Sequence, residues 1–427
     1  MSDSAYARKS ATVEPAYVNL YSVQKGAGWP EQAFVTLWMF IIYLPLDQFS
    51  PLRYLCILGF LAIMVHDYKR LMPLLLKCWP LYILAILGLI SMGWSPYPSQ
   101  AMRQGVLLFL SAFVIVVIAG RLTTRQTLRA VMFAGMLTTI IVAPNWATFQ
   151  YGGEYYGSKN YFALHMLFCM LLSLIAALDD KEAAPIRLLA LPFIPVCFLF
   201  IVLAESATAL VFAVLGGAGL VAIKLFWSPA SKVQGLPFLV ILLGLIAALI
   251  GAIVVLNLPQ NSFVEWFLDL VGKDPTLTGR TALWEGARLA AQERPWLGVG
   301  LEGFWQYDTG AAQTLNINDF KPVGTKLTFH SAYWEVRVHL GYIGLALFVT
   351  YLTWTSLRML LLWLRDGSLL NSALLVLLAV NLTMSFTESS LWQTFTTPVF
   401  MQGLAGIAAF RLYDPKLEGR ARIVSRS

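Results

Sequence analysis

The sequence predicts an all-α integral membrane protein with about twelve transmembrane helices and one large extracytoplasmic loop containing short amphipathic helices. Three observations carry this. The 427 residues are 58% hydrophobic and only 12% charged, about half the charged fraction of an ordinary soluble domain. Apolar runs of roughly 17 to 25 residues recur, each long enough to cross about 30 Å of hydrocarbon as a helix. Lys and Arg alternate between rich and poor connections along the chain.

The runs centre on Phe40, Gly59, Ala85, Phe113, Gly135, Leu167, Phe193, Leu215, Leu245, Leu345, Leu377 and Gly406. The first is short, Phe34 to Leu46, and Pro192 and Pro195 interrupt the run that begins near Ile186. This divides the chain into a tail (1–30), nine helices (31–257), a large loop (258–331), three further helices (332–412) and a basic tail (413–427). The first thirty residues lack the apolar core of a cleaved signal and read as a cytoplasmic tail.

Loop charge sets the orientation. One set of connections holds Lys69, Arg70 and Lys77, then Arg121, Arg125 and Arg129, Lys181 and Arg187, Lys224 and Lys232, and Arg358 and Arg365. The C-terminal tail adds five more basic residues from Arg411 to Arg426. The opposite short loops hold only Arg53, Arg103 and Lys159. The positive-inside rule places both termini in the cytoplasm and the large loop outside. The formal net charge of +7 then belongs to a cytoplasmic face beside anionic lipid rather than to a nucleic-acid surface. Cys56, Cys78, Cys169 and Cys197 lie in or beside spans at no metal-like spacing and read as small packing residues.

The large loop contains TLTGRTALWEGARLAAQERPWLGVGLEGFW, Thr276 to Trp305. Arg280 to Arg294 has a helical pattern, with Leu283, Ala287 and Ala290 on one face and Glu285, Arg288 and Gln292 on another. Pro295 ends it, and Gly298 and Gly300 permit a turn. A helix start offers unpaired N–H groups and partial positive charge to an anion, and Arg280 adds a planar fork suited to phosphate. An arginine there can equally be a surface residue paired with Glu285 or Asp274, and spacing leaves both readings open.

The phrase FHSAYWEVRVHLG, Phe329 to Gly341, brings His330, Glu335, Arg337 and His339 to the point where the chain re-enters the membrane. Such a cluster must face a cavity or pair internally. Glu335 and His339, four apart, share a helix face. A histidine ordinarily titrates near pH 6.5 and can accept a proton at neutrality. His330 outranks His66 and His165 because it adjoins the arginine-bearing loop. Arg103, Lys159 with Asn160, Glu205 with Ser206, and Glu388 with Ser389 all fall on the same side as the large loop. Charges at span ends commonly just reach for the interface, but their gathering on one side argues for a shared pocket.

These residues carry a resemblance. Asp274 to Thr281, Leu283-Trp284, Arg294 to Gly300 and Phe304-Trp305, with Trp94-Ser95-Pro96, Lys159-Asn160, His330-Ser331, Gly341-Gly344 and Phe386 to Ser389, make the chain similar to the bacterial O-antigen ligase and polysaccharide polymerase superfamily. Its exopolysaccharide-production polymerase branch is nearest. The strong match covers a small part of the chain, and the large loop before a late span is itself part of the family plan.

The resemblance implies a GT-C-like, metal-independent, inverting glycosyltransferase of the bacterial inner membrane, with its active site facing the periplasm and no cofactor. Its donor would be a glycan on undecaprenyl pyrophosphate, transferred to another lipid-linked repeat (polymerase) or to a lipid A core sugar (ligase). Flippase and chain-length or export proteins would be its partners, alongside the bilayer. The catalytic residues would be Arg280, gripping the pyrophosphate, His330, orienting or deprotonating the acceptor hydroxyl, and Glu388. Arg103 would be a second phosphate clamp, and Lys159, Asn160, Glu205, Trp284 and Glu335 would complete the substrate-binding set. Where many relatives carry Lys or Arg after the seventh span, this chain has Glu205-Ser206-Ala207-Thr208, which leaves two readings open: Lys159 substitutes, or the donor is held differently. A transporter is the rival class, but no half-to-half repeat is visible and the ionisable groups cluster at one face rather than at mid-bilayer.

Overall fold

In a computed structural model of the chain the described residues are 27–44, 46–145, 158–227, 233, 235, 236, 239 and 280–408. The centre of the ninth apolar run at Leu245, residues 1–26, the C-terminal tail and Asp274 to Gly279 of the loop motif lie outside them, and the end of the expected N-terminal tail, Trp29 and Pro30, already belongs to the first helix. Among the described residues every regular element is helical.

The first half builds the bundle from α1 (Trp29–Tyr43), α2 (Ser50–His66), α3 (Tyr68–Lys77), α4 (Ile83–Ile90), α5 (Pro98–Arg121), α6 (Thr124–Val142), α7 (Lys159–Leu178), α8 (Ala184–Ala190), α9 (Phe193–Leu203) and α10 (Ala207–Ala222). The loop supplies α11 (Arg280–Glu293) and α12 (Gly310–Asn318), and the C-terminal part supplies α13 (Ala332–Arg365), α14 (Leu369–Met384) and α15 (Thr397–Ala408). Six helical stretches among the described residues are long and apolar enough to cross a membrane, or seven if one bent pair counts as a single span. The other described runs of the expected twelve form shorter helices. The outer surface suits lipid: Leu55, Val65 and Leu215 are 62%, 73% and 63% exposed, a distribution that water would penalise.

Local chemistry explains the breaks. Pro192 and Pro195 fall where the run near Ile186 divides into α8 and α9, because proline removes a backbone donor and crowds the preceding turn. Tyr68 to Lys77, read from sequence as a basic connection, is instead helix α3, bent by 72° from the helical stretch Trp79–Gly93 that follows. α6 begins with a capping box in which Thr123 and Gln126 satisfy each other's backbone N–H.

Charge sorts to the two ends of the bundle. α5 has 24 residues and so measures about 36 Å at 1.5 Å per residue. At its Arg121 end, Arg121 pairs with both Glu31 and Asp67, Arg125 with Asp179 at 2.7 Å, and Arg129 with Glu182 at 2.6 Å. Asp180 joins the same end through Lys224 and Arg187. Of the basic residues that the loop pattern assigned to one face, Arg121, Arg125, Arg129, Arg187 and Lys224 meet acidic partners there.

The opposite end of α5 carries the large loop. Leu283, Ala287, Phe304, Trp305, Leu315 and Phe329 form a core of their own, so residues 280–331 make a packed cap. A second cluster, including Ala101, Leu301, Val336, Leu340 and Trp392, fastens that cap to α5 and α13.

The glycine-rich turn after α11 is inserted into a break in α13. Gly341 has φ 66° and ψ −162°, so the helix is interrupted there. The carbonyls of Val338 and His339 accept from Val299 N–H at 3.0 Å and Gly300 N–H at 2.9 Å. In return Tyr342 N–H donates to Pro295 O at 2.9 Å and Ile343 N–H to Trp296 O at 3.2 Å. A broken helix at membrane depth must find such substitutes for its lost bonds. Gly298 at φ 65° has no room for a side chain, because a Cβ would stand 2.5 Å from the His339 carbonyl. A Cβ on Gly341 would enter the Trp296 backbone. The stretch from Ser91 to Trp94 supports the turn: Trp94 Nε1 donates to Leu297 O at 3.2 Å, and Ser91 Oγ accepts from Leu301 N–H at 3.0 Å.

Candidate active site

Three elements far apart in sequence meet at the cap. α11 begins at Arg280, the segment before α13 carries His330, and the loop after α14 carries Glu388. Arg280 Nη2 donates to Glu388 Oε1 at 2.7 Å, and Glu388 Oε2 stands 3.6 Å from His330 Nδ1. One carboxylate thus faces both the guanidinium and the imidazole. The side chains are 11% (Arg280), 15% (Glu388) and 26% (His330) exposed, so the group is largely dry with the imidazole its most open member.

Of the two partners that the sequence offered Arg280, Asp274 lies outside the described residues and Glu285 is engaged elsewhere, 2.6 Å from Arg288 on the exposed face of α11. Glu388 takes one of the five N–H donors of a guanidinium. At 3.6 Å the carboxylate stands beside Nδ1 without a hydrogen bond to it.

The backbone at His330 is unusual, with φ 49°. A left-handed conformation costs a non-glycine residue about 1–2 kcal/mol, and the neighbouring peptide groups are held. Trp284 Nε1 donates to Phe329 O at 2.9 Å, and Phe329 N–H donates to Glu335 Oε1 at 2.7 Å. Ser389 Oγ donates to the same Glu335 oxygen at 3.2 Å. Glu335 Oε2 lies 3.4 Å from His339 Nε2, the one-turn pairing that the spacing predicted. Glu335 is 2% exposed and His339 0%, and His339 stacks on Trp392. Arg337, on the other side of the helix, donates to Pro295 O at 2.8 Å and lies over the Tyr342 ring at 3.5 Å.

The remaining expected residues are placed less centrally. Glu335 and Trp284 sit behind His330, against its neighbour Phe329. Lys159 pairs with Glu205 at 3.4 Å, joining the starts of α7 and α10, and Asn160 is half-buried beside it. Arg103 is exposed on α5, two residues after Ala101, which packs in the Leu301 and Trp392 cluster. Among the described residues no hydrogen bond or ion pair joins Arg103, Lys159 or Glu205 to the Arg280, Glu388 and His330 group. Ser389, which the sequence reading grouped with Glu388 but gave no role, lies behind the group and donates to Glu335.

Tyr97 also ties the cap to α5 by donating to Asp308. This bond raises the phenol above its ordinary titration range. Among the described residues no group of three or more His, Cys, Asp or Glu is placed to hold a metal ion.

Residues 193–349, from α9 through the large loop into α13, match the O-antigen ligase family. Over 362 residues the chain is 26% identical to the exopolysaccharide production protein ExoQ of Rhizobium meliloti (strain 1021), covering 79% of this chain and 76% of the relative. The matched region contains both Arg280 and His330, and over it the chain is similar to the O-antigen ligase family.

Proposed function

We propose that the chain is a membrane glycosyltransferase that moves a glycan from undecaprenyl pyrophosphate to an acceptor sugar hydroxyl, polymerising repeat units of an exopolysaccharide or O-antigen type. The supporting observation is the meeting of Arg280, Glu388 and His330 at one end of an apolar helical bundle. The similarity to an exopolysaccharide production protein over most of the chain favours polymerisation over ligation to lipid A core.

The acceptor oxygen attacks the anomeric carbon from the face opposite the diphosphate, so the configuration inverts. The bond between the anomeric carbon and the diphosphate oxygen breaks, and its electron pair stays on that oxygen of the departing diphosphate. The hydroxyl proton goes to His330 Nε2, and Glu388 beside Nδ1 stabilises the resulting imidazolium, the logic of a carboxylate–histidine pair. The donors of Arg280 not taken by Glu388 face the charge growing on the leaving oxygens, where fixed donors shielded from bulk water act most strongly. Diphosphate is already a good leaving group, so the arginine supplies the charge that a metal supplies elsewhere and the reaction is metal-independent. The lipid carrier keeps its tail in the bilayer while its head lies at the cap, on the periplasmic side.

The test uses purified protein with undecaprenyl-pyrophosphate-linked repeat units alone. A ladder of longer lipid-linked products is expected. Products that form only after lipid A core is added would make the chain a ligase, and no transfer in either mixture would end the enzymatic reading.

A further inference from the structure

Glu335 is a carboxylate buried to 2% exposure in the first turn of α13, behind the proposed base. A carboxylate is costly to bury unless its lone pairs are engaged. Here they are engaged in a particular way. Oε1 accepts from the N–H of Phe329, the residue before His330, and from the hydroxyl of Ser389, the residue after Glu388. One oxygen thus ties the two segments that carry the imidazole and the carboxylate facing it. Oε2 turns toward His339, whose other ring nitrogen lies 3.3 Å from Gly300 O, in the turn that plugs the α13 break.

Nothing within this network competes for substrate, since Glu335, His339 and Ser389 are all buried. It acts on geometry. His330 holds a left-handed backbone, and its side-chain direction depends on the Phe329 peptide, which is gripped at its N–H by Glu335 and at its carbonyl by Trp284. The two segments also meet through Ala332 N–H, which donates to Ser385 O at 3.0 Å. Glu335 adds the link that reaches the residues directly adjoining His330 and Glu388, and so bears on the 3.6 Å approach of the two side chains.

We propose that Glu335 is a positioning residue that holds the His330 and Glu388 segments in register through the Phe329 N–H and the Ser389 hydroxyl. It rests on the reading of His330 as the base in glycosyl transfer. It replaces the expectation that Glu335 binds substrate.

The test compares initial rates of the purified full chain on undecaprenyl-pyrophosphate-linked repeat units for the wild type, Glu335→Ala, Glu335→Gln, Ser389→Ala and His330→Ala. Glu335→Ala should lower kcat by roughly 100-fold, the scale of a misplacement of about 1 Å, with KM within about threefold. Glu335→Gln, whose amide oxygen accepts the same two bonds, should recover kcat to within about tenfold of wild type. Ser389→Ala should fall between them, and it decides the matter if Glu335→Ala does not fold. Wild-type kcat in Glu335→Ala, a raised KM at constant kcat, or no recovery with glutamine overturns the positioning role while His330→Ala remains inactive. Wild-type turnover in His330→Ala removes the base reading and this proposal with it.

Discussion

Arg280 and Glu388, 108 residues apart in sequence, lie 2.7 Å apart with their side chains 11% and 15% exposed. Removing one partner of such a pair leaves an uncompensated charge in a poorly solvated place, at a cost of about 3–5 kcal/mol. The carboxylate is therefore a structural partner of the arginine as well as a neighbour of His330, and the two roles must be separated by substitutions that keep charge.

Arg280→Lys keeps the charge and loses the planar fork. Polymer formation should fall on the order of 10²- to 10³-fold, the usual loss when one transition-state donor is removed, while membrane insertion stays intact. Glycan chain length read on gels beside membrane-fraction immunoblots checks this. Wild-type polymer in a well-inserted variant would show that the guanidinium does not hold the diphosphate.

The α13 break makes a prediction about folding rather than chemistry. Gly341→Ala places a Cβ against Trp296 at a left-handed φ, costing about 1–2 kcal/mol in backbone strain before any clash. Its thermal unfolding midpoint in detergent should drop, whereas Gly93→Ala, with nothing within 4 Å of the added carbon, should melt like wild type. Equal midpoints for the two variants would mean that the turn does not plug the helix as described.

The Tyr97–Asp308 contact predicts a pH response. The bond raises the phenol above its ordinary range, so the protonated form is favoured in the folded chain. Its contribution is complete below the usual tyrosine pKa of about 10 and is lost as pH rises through the higher folded value. The ultraviolet difference titration between wild type and Tyr97→Phe should show a late phenolate, and Asp308→Asn should move it to lower pH. An unmoved transition in Asp308→Asn would detach the cap from α5 at this point.

Much of this was readable in the sequence because local rules govern it. Pro295 stops α11 within two residues of the expected end, the Leu283, Ala287 and Ala290 face is the buried one, and the tenth run starts at Ala332 as its composition implies. Glu335 and His339 pair because helical spacing brings positions four apart together. What could not be read depends on tertiary contact. The partner of Arg280 is a residue 108 positions away, and no pattern within the loop points to it. Gly341 sits inside a continuous apolar pattern, so its left-handed break shows only once the Pro295 to Gly300 turn is seen to satisfy the exposed carbonyls. Glu335 was expected at the substrate because a charge in a span suggests function, yet two hydrogen-bond donors draw it inward. Arg103 and Lys159 fall on the expected end, but residue type and side do not fix whether a long side chain reaches the centre.

The central claim is that His330 does chemistry on a donor that Arg280 helps to hold. Its most direct test measures binding and turnover together on purified His330→Ala with fluorescent undecaprenyl-pyrophosphate-linked repeat units. The dissociation constant should stay within about threefold of wild type while turnover falls on the order of 10²- to 10⁴-fold, the range for loss of a general base. Undiminished turnover in a folded, substrate-binding His330→Ala protein would contradict it.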